Sequence, residues 1–141
     1  MKNIDQFKAK HLQFGTWISS GSPVVAELAS YFSIDWLLFD FEHGNAGEAQ
    51  VLEMLRAVAS QPVTVIVRVA ALDPAIISRI LDWGADGIML PHVRSADEAL
   101  RCVSAMRYPP HGTRGYSSSV RAYRYGTDVP AEAVKIKPLF F

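Results

Sequence analysis

Four times in succession an apolar run without alternation is followed by an apolar stripe at helical spacing, and this order confines the chain to α/β folds. The run Trp36-Leu37-Leu38-Phe39 has no polar face, as expected of a strand covered on both sides in a parallel sheet. Val63 to Val69 is β-branched and apolar, and Gly15 to Ile18 and Gly87 to Leu90 are shorter runs of the same kind. Helices are expected after each. Ser22-Pro23 and Asp73-Pro74 pair a capping side chain with a proline suited to the first helical position. Ser95 and Glu98 have the spacing of a capping box. The stripes are Val24, Val25, Leu28 and Phe32; Val51, Leu52, Leu55 and Val58; Ile76, Ile77, Ile80 and Leu81; and Ala99, Leu100, Val103 and Met106. Pro62, Gly84 and Pro109-Pro110 mark helix ends. The order is β-α-β-α-β-α-β-α, recurring at roughly 20–30 residues as βαβ units do. Alternation alone leaves a barrel and an open doubly wound sheet both possible. The dinucleotide pattern G-x-G-x-x-G is absent.

His111 to Asp128 has no clear period and is rich in Gly, Ser, Tyr and Arg, so a long loop is expected there. Lys137-Pro138-Leu139-Phe140-Phe141 reads as the opening of a fifth strand. The expectation is that residues 1–141 form the N-terminal portion of a single longer domain, by truncation, frameshift or excision. Fourteen basic residues balance fourteen acidic ones, so no net field draws nucleic acid or an anionic membrane. No apolar run approaches the ~20 residues of a membrane span. The leader Met1 to Lys10 has no apolar core, and the single cysteine, Cys102, forms no internal disulfide; the cytoplasm is the expected compartment.

In α/β folds the chemistry gathers at the C-terminal ends of the strands. The second strand runs into Asp40-Phe41-Glu42-His43-Gly44, the third ends at Arg68, and the fourth at Pro91-His92. Three consecutive strand ends thus bring acids, histidine and arginine to one rim. Carboxylates stabilise a protonated imidazole and make it a better base, which suits proton abstraction beside a carbonyl. An arginine there holds a carboxylate in two hydrogen bonds or steadies an enolate. The combination points to an α-keto acid and an enolate intermediate. Plainer roles fit each residue taken alone. His43 also suits a helix cap or a loop contact, and Arg68 an ion pair with Asp40 or Glu42. Asp82, late in a helix, reads as a solvated surface group, and His92 and His111 as loop residues rather than metal ligands. Cys102 among apolar neighbours reads as buried and inert, and Arg114 suits either an anion or loop packing.

The stretch Asp35-Trp36-Leu37-Leu38-Phe39-Asp40-Phe41-Glu42-His43 resembles the signature of the HpcH/HpaI aldolase family, class II pyruvate aldolases acting on 2-keto-3-deoxy sugar acids and 4-hydroxy-2-oxo acids. Gly15-Thr16-Trp17, the strand ending in Arg68, Leu81-Asp82-Trp83-Gly84 with Pro91 behind it, and Arg107-Tyr108-Pro109-Pro110-His111-Gly112-Thr113-Arg114-Gly115 agree in order and spacing. The resemblance implies the first half of a TIM (β/α)₈ barrel, about four βα units and the start of a fifth strand. It implies a divalent metal (Mg²⁺, Mn²⁺ or Co²⁺), a small-molecule 2-oxo acid substrate and a homo-oligomer. By resemblance His43 is the catalytic base, Arg68 stabilises the enolate, Asp82 raises the basicity of the histidine, and Asp40 and Glu42 support them.

The family takes its two metal ligands, a Glu and an Asp, from the ends of the fifth and sixth strands, so none is expected in this chain and both are expected beyond Phe141. Barrels of this type typically need ~250 residues, and four βα units leave two open sheet edges. Two other readings stand beside the aldolase. One is a catalytically inactive half-barrel or assembly module. The other is a lyase acting on a citryl or malyl thioester, which the Phe41-Glu42-His43 segment favours less.

Overall fold

A computed structural model describes residues 12–129 and 138–140. Five parallel strands form one sheet: β1 (Gly15–Ile18), β2 (Trp36–Asp40), β3 (Thr64–Arg68), β4 (Gly87–Met89) and β5 (Leu139–Phe140). Four helices alternate with the first four: α1 (Pro23–Ser30), α2 (Glu48–Ala57), α3 (Pro74–Asp82) and α4 (Ala96–Met106). The strand order β1-β2-β3-β4-β5 follows the chain without reversal. Right-handed crossovers in an unreversed order put every connecting helix on the same face, whereas a doubly wound sheet changes direction at a switch point. Packing of α1 on α2 and of α3 on α4 agrees with one row of helices. The alternative left open by sequence is thereby decided for the barrel-type arrangement.

The helix starts follow their capping chemistry. Ser22 Oγ accepts from the Val25 amide at 3.3 Å, Asp73 Oδ1 from Ala75 at 2.8 Å, and Ser95 Oγ from Glu98 at 3.1 Å. Glu98 returns its carboxylate to the Arg94 amide at 2.7 Å, one residue before the cap itself. Gly84, with φ +101, lets the chain leave α3 and enter β4 five residues after the helix ends. The core lies between sheet and helices. Phe39, Val67 and Ile88 from the strands meet Val51, Met54 and Leu55 of α2 and Ile77, Ile80 and Leu81 of α3.

The outer helices depart from the expected stripes. Val24, Val25, Leu28 and Phe32 are exposed, and only Ala26 and Ser30 of α1 are buried. Leu100 of α4 is exposed as well, and Cys102, Ala105 and Met106 form its buried face. Among the described residues one neighbouring helix packs on each of these two, at the ends of the row, so apolar spacing alone did not decide burial. The loop expected over 111–128 contains a short 3₁₀ turn, Arg121–Gly126, in which Arg124 and Tyr125 have positive φ. Leu139–Phe140 pairs in parallel with β4, as the sequence suggested for a fifth strand. Lys137 and Phe141, the ends of that expected strand, and the leader Met1 to Lys10 lie outside the described residues.

Candidate active site

The register of the strands sets the geometry. Asp40 and Arg68 are the last residues of β2 and β3 and are partners across the ladder. At that distance the aspartate takes the guanidinium in two prongs, Arg68 Nε donating to Oδ1 at 3.0 Å and Nη2 to Oδ2 at 2.7 Å. The chain then folds back over the end of β2. The amides of Glu42 and His43 both donate to Asp40 Oδ1 at 3.1 Å, and Ser19 Oγ, just past β1, lies 3.5 Å from Oδ2. Gly44 is required by this turn, because a Cβ there would stand 2.2 Å from the Asp40 carbonyl oxygen. The carboxyl of Asp40, almost fully buried, is held down from 3.8 to about 2. The hydrogen-bonded Arg68 is the main cause and the two backbone amides help, against the opposing effect of burial. The same pairing raises Arg68 above its ordinary value.

Glu42 completes the cluster. Its side chain is 8% exposed, with Oε2 3.2 Å from Arg68 Nε. Oε1 faces two imidazoles, His92 Nε2 at 3.2 Å and His43 Nε2 at 3.7 Å. Both histidine side chains are largely open to solvent. The Trp17 ring of β1 lies under the guanidinium, 4.7 Å from Arg68 Cζ to the ring centroid. His92 follows β4 with φ +56, a left-handed conformation that costs a non-glycine residue ~1–2 kcal/mol. Four adjacent strand ends thus converge on one mouth. The aspartate, arginine and histidine expected at a shared rim are together, and Arg68 is also the ion-pair partner of Asp40 and Glu42.

Asp82 is not brought to His43 among the described residues. It is the last residue of α3, and α3 runs back from the C-terminal end of β3 to the start of β4, so Asp82 sits at the opposite end of the sheet. There it accepts from Arg114 Nη2 at 2.5 Å. Arg114 is buried and lies over the Tyr108 ring, whose hydroxyl accepts from Tyr123 at 2.9 Å. Burial, with the Tyr123 hydroxyl adding to it, pushes the Tyr108 hydroxyl far above its usual range. This assembly fastens the loop after α4 and settles the open reading of Arg114 as loop packing. His111 is exposed. Cys102 is fully buried, and desolvation pushes its thiol up to about 11.

Sequence reasoning gave no part to Trp17 or Ser19 and kept His92 as a loop residue. An aromatic on the strand beside an Asp–Arg ladder pair was the available sign for Trp17. The end of β4 already put His92 at the rim; its pairing with Glu42 depends on what another strand delivers there. Among the described residues no group of three histidine, cysteine, aspartate or glutamate side chains could hold a metal ion. Asp40 is committed to Arg68, and Glu42 is shared among arginine and histidines, so these side chains do not fit a resident divalent cation by themselves.

Comparison with known proteins places the chain in a family. The family model described as HpcH/HpaI aldolase/citrate lyase matches residues 13–125. A 2-dehydro-3,6-dideoxy-6-sulfogluconate aldolase of Pseudomonas putida is 42% identical over 120 residues, covering 85% of this chain and 47% of the relative. A hydroxypyruvate/pyruvate aldolase of Sagittula stellata is 44% identical over 119 residues, covering 84% and 47%. Among solved structures, an HpcH/HpaI aldolase/citrate lyase family protein from Burkholderia cenocepacia superposes with a TM-score of 0.77 at 36% identity, over 82% of this chain and 47% of that one. The chain spans about half the length of the curated relatives it matches.

Proposed function

The chain belongs to the HpcH/HpaI aldolase/citrate lyase family, and from that premise we propose that it supplies the acid–base half of a carbon–carbon lyase site. The reaction is the cleavage of a 2-keto-3-deoxy sugar acid or 4-hydroxy-2-oxo acid to pyruvate and an aldehyde through an enolate. The observation that carries this reading is the Asp40–Arg68–Glu42 cluster with two imidazoles beside it at the C-terminal strand ends. Arg68 is held by Asp40 through Nε and Nη2. A guanidinium fixed in this way meets the negative charge of a 2-oxo acid or its enolate without reorganising. His43 exchanges the proton at the carbon next to the carbonyl.

A divalent metal would act as a Lewis acid on the pyruvate oxygens. The residues here do not form its site, and no step of this scheme depends on it. The same proposal takes the ligands from outside the described residues, the working form as a homo-oligomer and the compartment as the cytoplasm. No helix among the described residues is long and apolar enough to cross a membrane.

Pyruvate release, followed with Mg²⁺ or Mn²⁺ present and coupled to a reporter dehydrogenase, tests the reading. Release that His43→Ala abolishes is expected. Release at a near-normal rate in His43→Ala would show that the wrong base has been named. No release from the unaltered chain favours the inactive half-barrel, a reading that the exposed stripe of α1 supports. Turnover of a citryl or malyl thioester instead would move the assignment to the other lyase branch.

A further inference from the structure

His43 as assigned handles the proton on carbon, which leaves the proton of the substrate's C4 hydroxyl without an acceptor. A second imidazole stands at the same carboxylate. We propose that His92 is that acceptor, and that Glu42 joins His92 and His43 into one two-imidazole relay; the inference rests on the lyase reading above.

Three observations point to it. Glu42 Oε1 lies 3.2 Å from His92 Nε2 and 3.7 Å from His43 Nε2, so one oxygen faces both rings at ion-pair distance. Its other oxygen is 3.2 Å from Arg68 Nε, which keeps the carboxylate in place between them. His92 is also held at φ +56 while its side chain is 75% exposed. A strained backbone that aims an exposed ring at a carboxylate does not serve the core, and strain of this kind gathers at functional sites.

In the cleavage direction the C4 hydroxyl gives its proton to His92 as the C3–C4 bond breaks. The electrons of the O–H bond form the aldehyde carbonyl, and those of the broken C–C bond pass into the enolate. The enolate takes a proton at C3 from the His43 imidazolium. The proton on His92 then returns to His43 through Glu42. Both rings end as they began, and the net change is one hydroxyl proton moved to carbon. Among the described residues, Asp40, Glu42 and Arg68 form the charged cluster at the pair.

His92→Asn is the test, since asparagine tolerates the left-handed backbone. Two rates are compared by NMR in D₂O: deuterium exchange into the methyl of pyruvate, and cleavage of a 4-hydroxy-2-oxo acid. The variant should lower the ratio of cleavage to exchange by about 100-fold, the lower range for a positioned acid–base group. An unchanged ratio overturns the relay, whether both rates hold or both fall together. Absence of exchange in the unaltered chain would sink the lyase reading, and the relay that rests on it falls with it.

Discussion

Asp40→Asn removes one negative charge from the centre of the site while keeping its shape. The carboxyl of Asp40 is held at about 2, against an ordinary value of 3.8. At about 1.4 kcal/mol for each pH unit this corresponds to ~2.5 kcal/mol of folding stability. The side chain is 4% exposed, so solvent screens little of it. Asparagine still accepts from the amides of Glu42 and His43, but its amide nitrogen meets Arg68 donor to donor. The expected loss is therefore ~2–3 kcal/mol at neutral pH. Urea unfolding reads it as a fall of about 0.7–3 M in midpoint for a slope of 1–3 kcal/mol/M. The pH dependence fixes the cause. The folded state depresses this acid, so its contribution is complete above the unfolded value near 3.8 and is lost as pH falls through about 2. The gap between the two proteins should stay constant from pH 7 to about 4 and close towards pH 2. A gap absent at pH 7, or one that persists undiminished at pH 2, would refute the assignment of this energy to the Asp40–Arg68 pair.

Arg68→Lys keeps the charge but loses the two-pronged hold and the flat contact with Trp17; pyruvate release should fall by about 100-fold or more in kcat/KM, measured by the coupled assay. Asp82→Asn should cost about 2 kcal/mol in urea unfolding, because it strands the buried Arg114 guanidinium, whose Nε already has no partner among the described residues. Cys102 should label slowly with a thiol reagent at pH 8 in the folded protein and quickly in denaturant, since its thiol is buried and held up to about 11; rapid labelling of the native state would contradict that burial.

Elements whose signals are local were legible in the sequence. Ser22-Pro23, Asp73-Pro74 and Gly84 act through their own backbone neighbourhood, and each stands where its chemistry put it. The continuous apolar runs of β2 and β3 revealed a sheet covered on both faces, and strand ends then located Asp40 and Arg68. What failed depended on neighbours distant in sequence. The spacing of Val24, Leu28 and Phe32 shows that a face is apolar, not what covers it. His92 gains its meaning only from Glu42, which another strand delivers. The turn at 121–126 follows no helical period because Arg124 and Tyr125 have left-handed backbones.

The contrast between Asp82 and Arg68 shows how topology limits what a motif can carry. In a parallel βα sheet every strand runs one way and every connecting helix runs back. A residue at a strand's last position reaches the mouth, and a residue at a helix's last position reaches the floor. Arg68 and Asp82 are separated by one loop and one helix, and that reversal puts them at opposite ends. Among the described residues Arg68 shares Glu42 with the histidines, while Asp82 holds Arg114. The plainer reading of Arg68 as an ion pair and its catalytic reading are likewise not rivals. Asp40 engages Nε and Nη2, and it is this engagement that fixes the direction in which the remaining donors can act. An arginine free of Asp40 would have to be ordered by the substrate itself, at a cost in binding that the ladder pair has already met during folding.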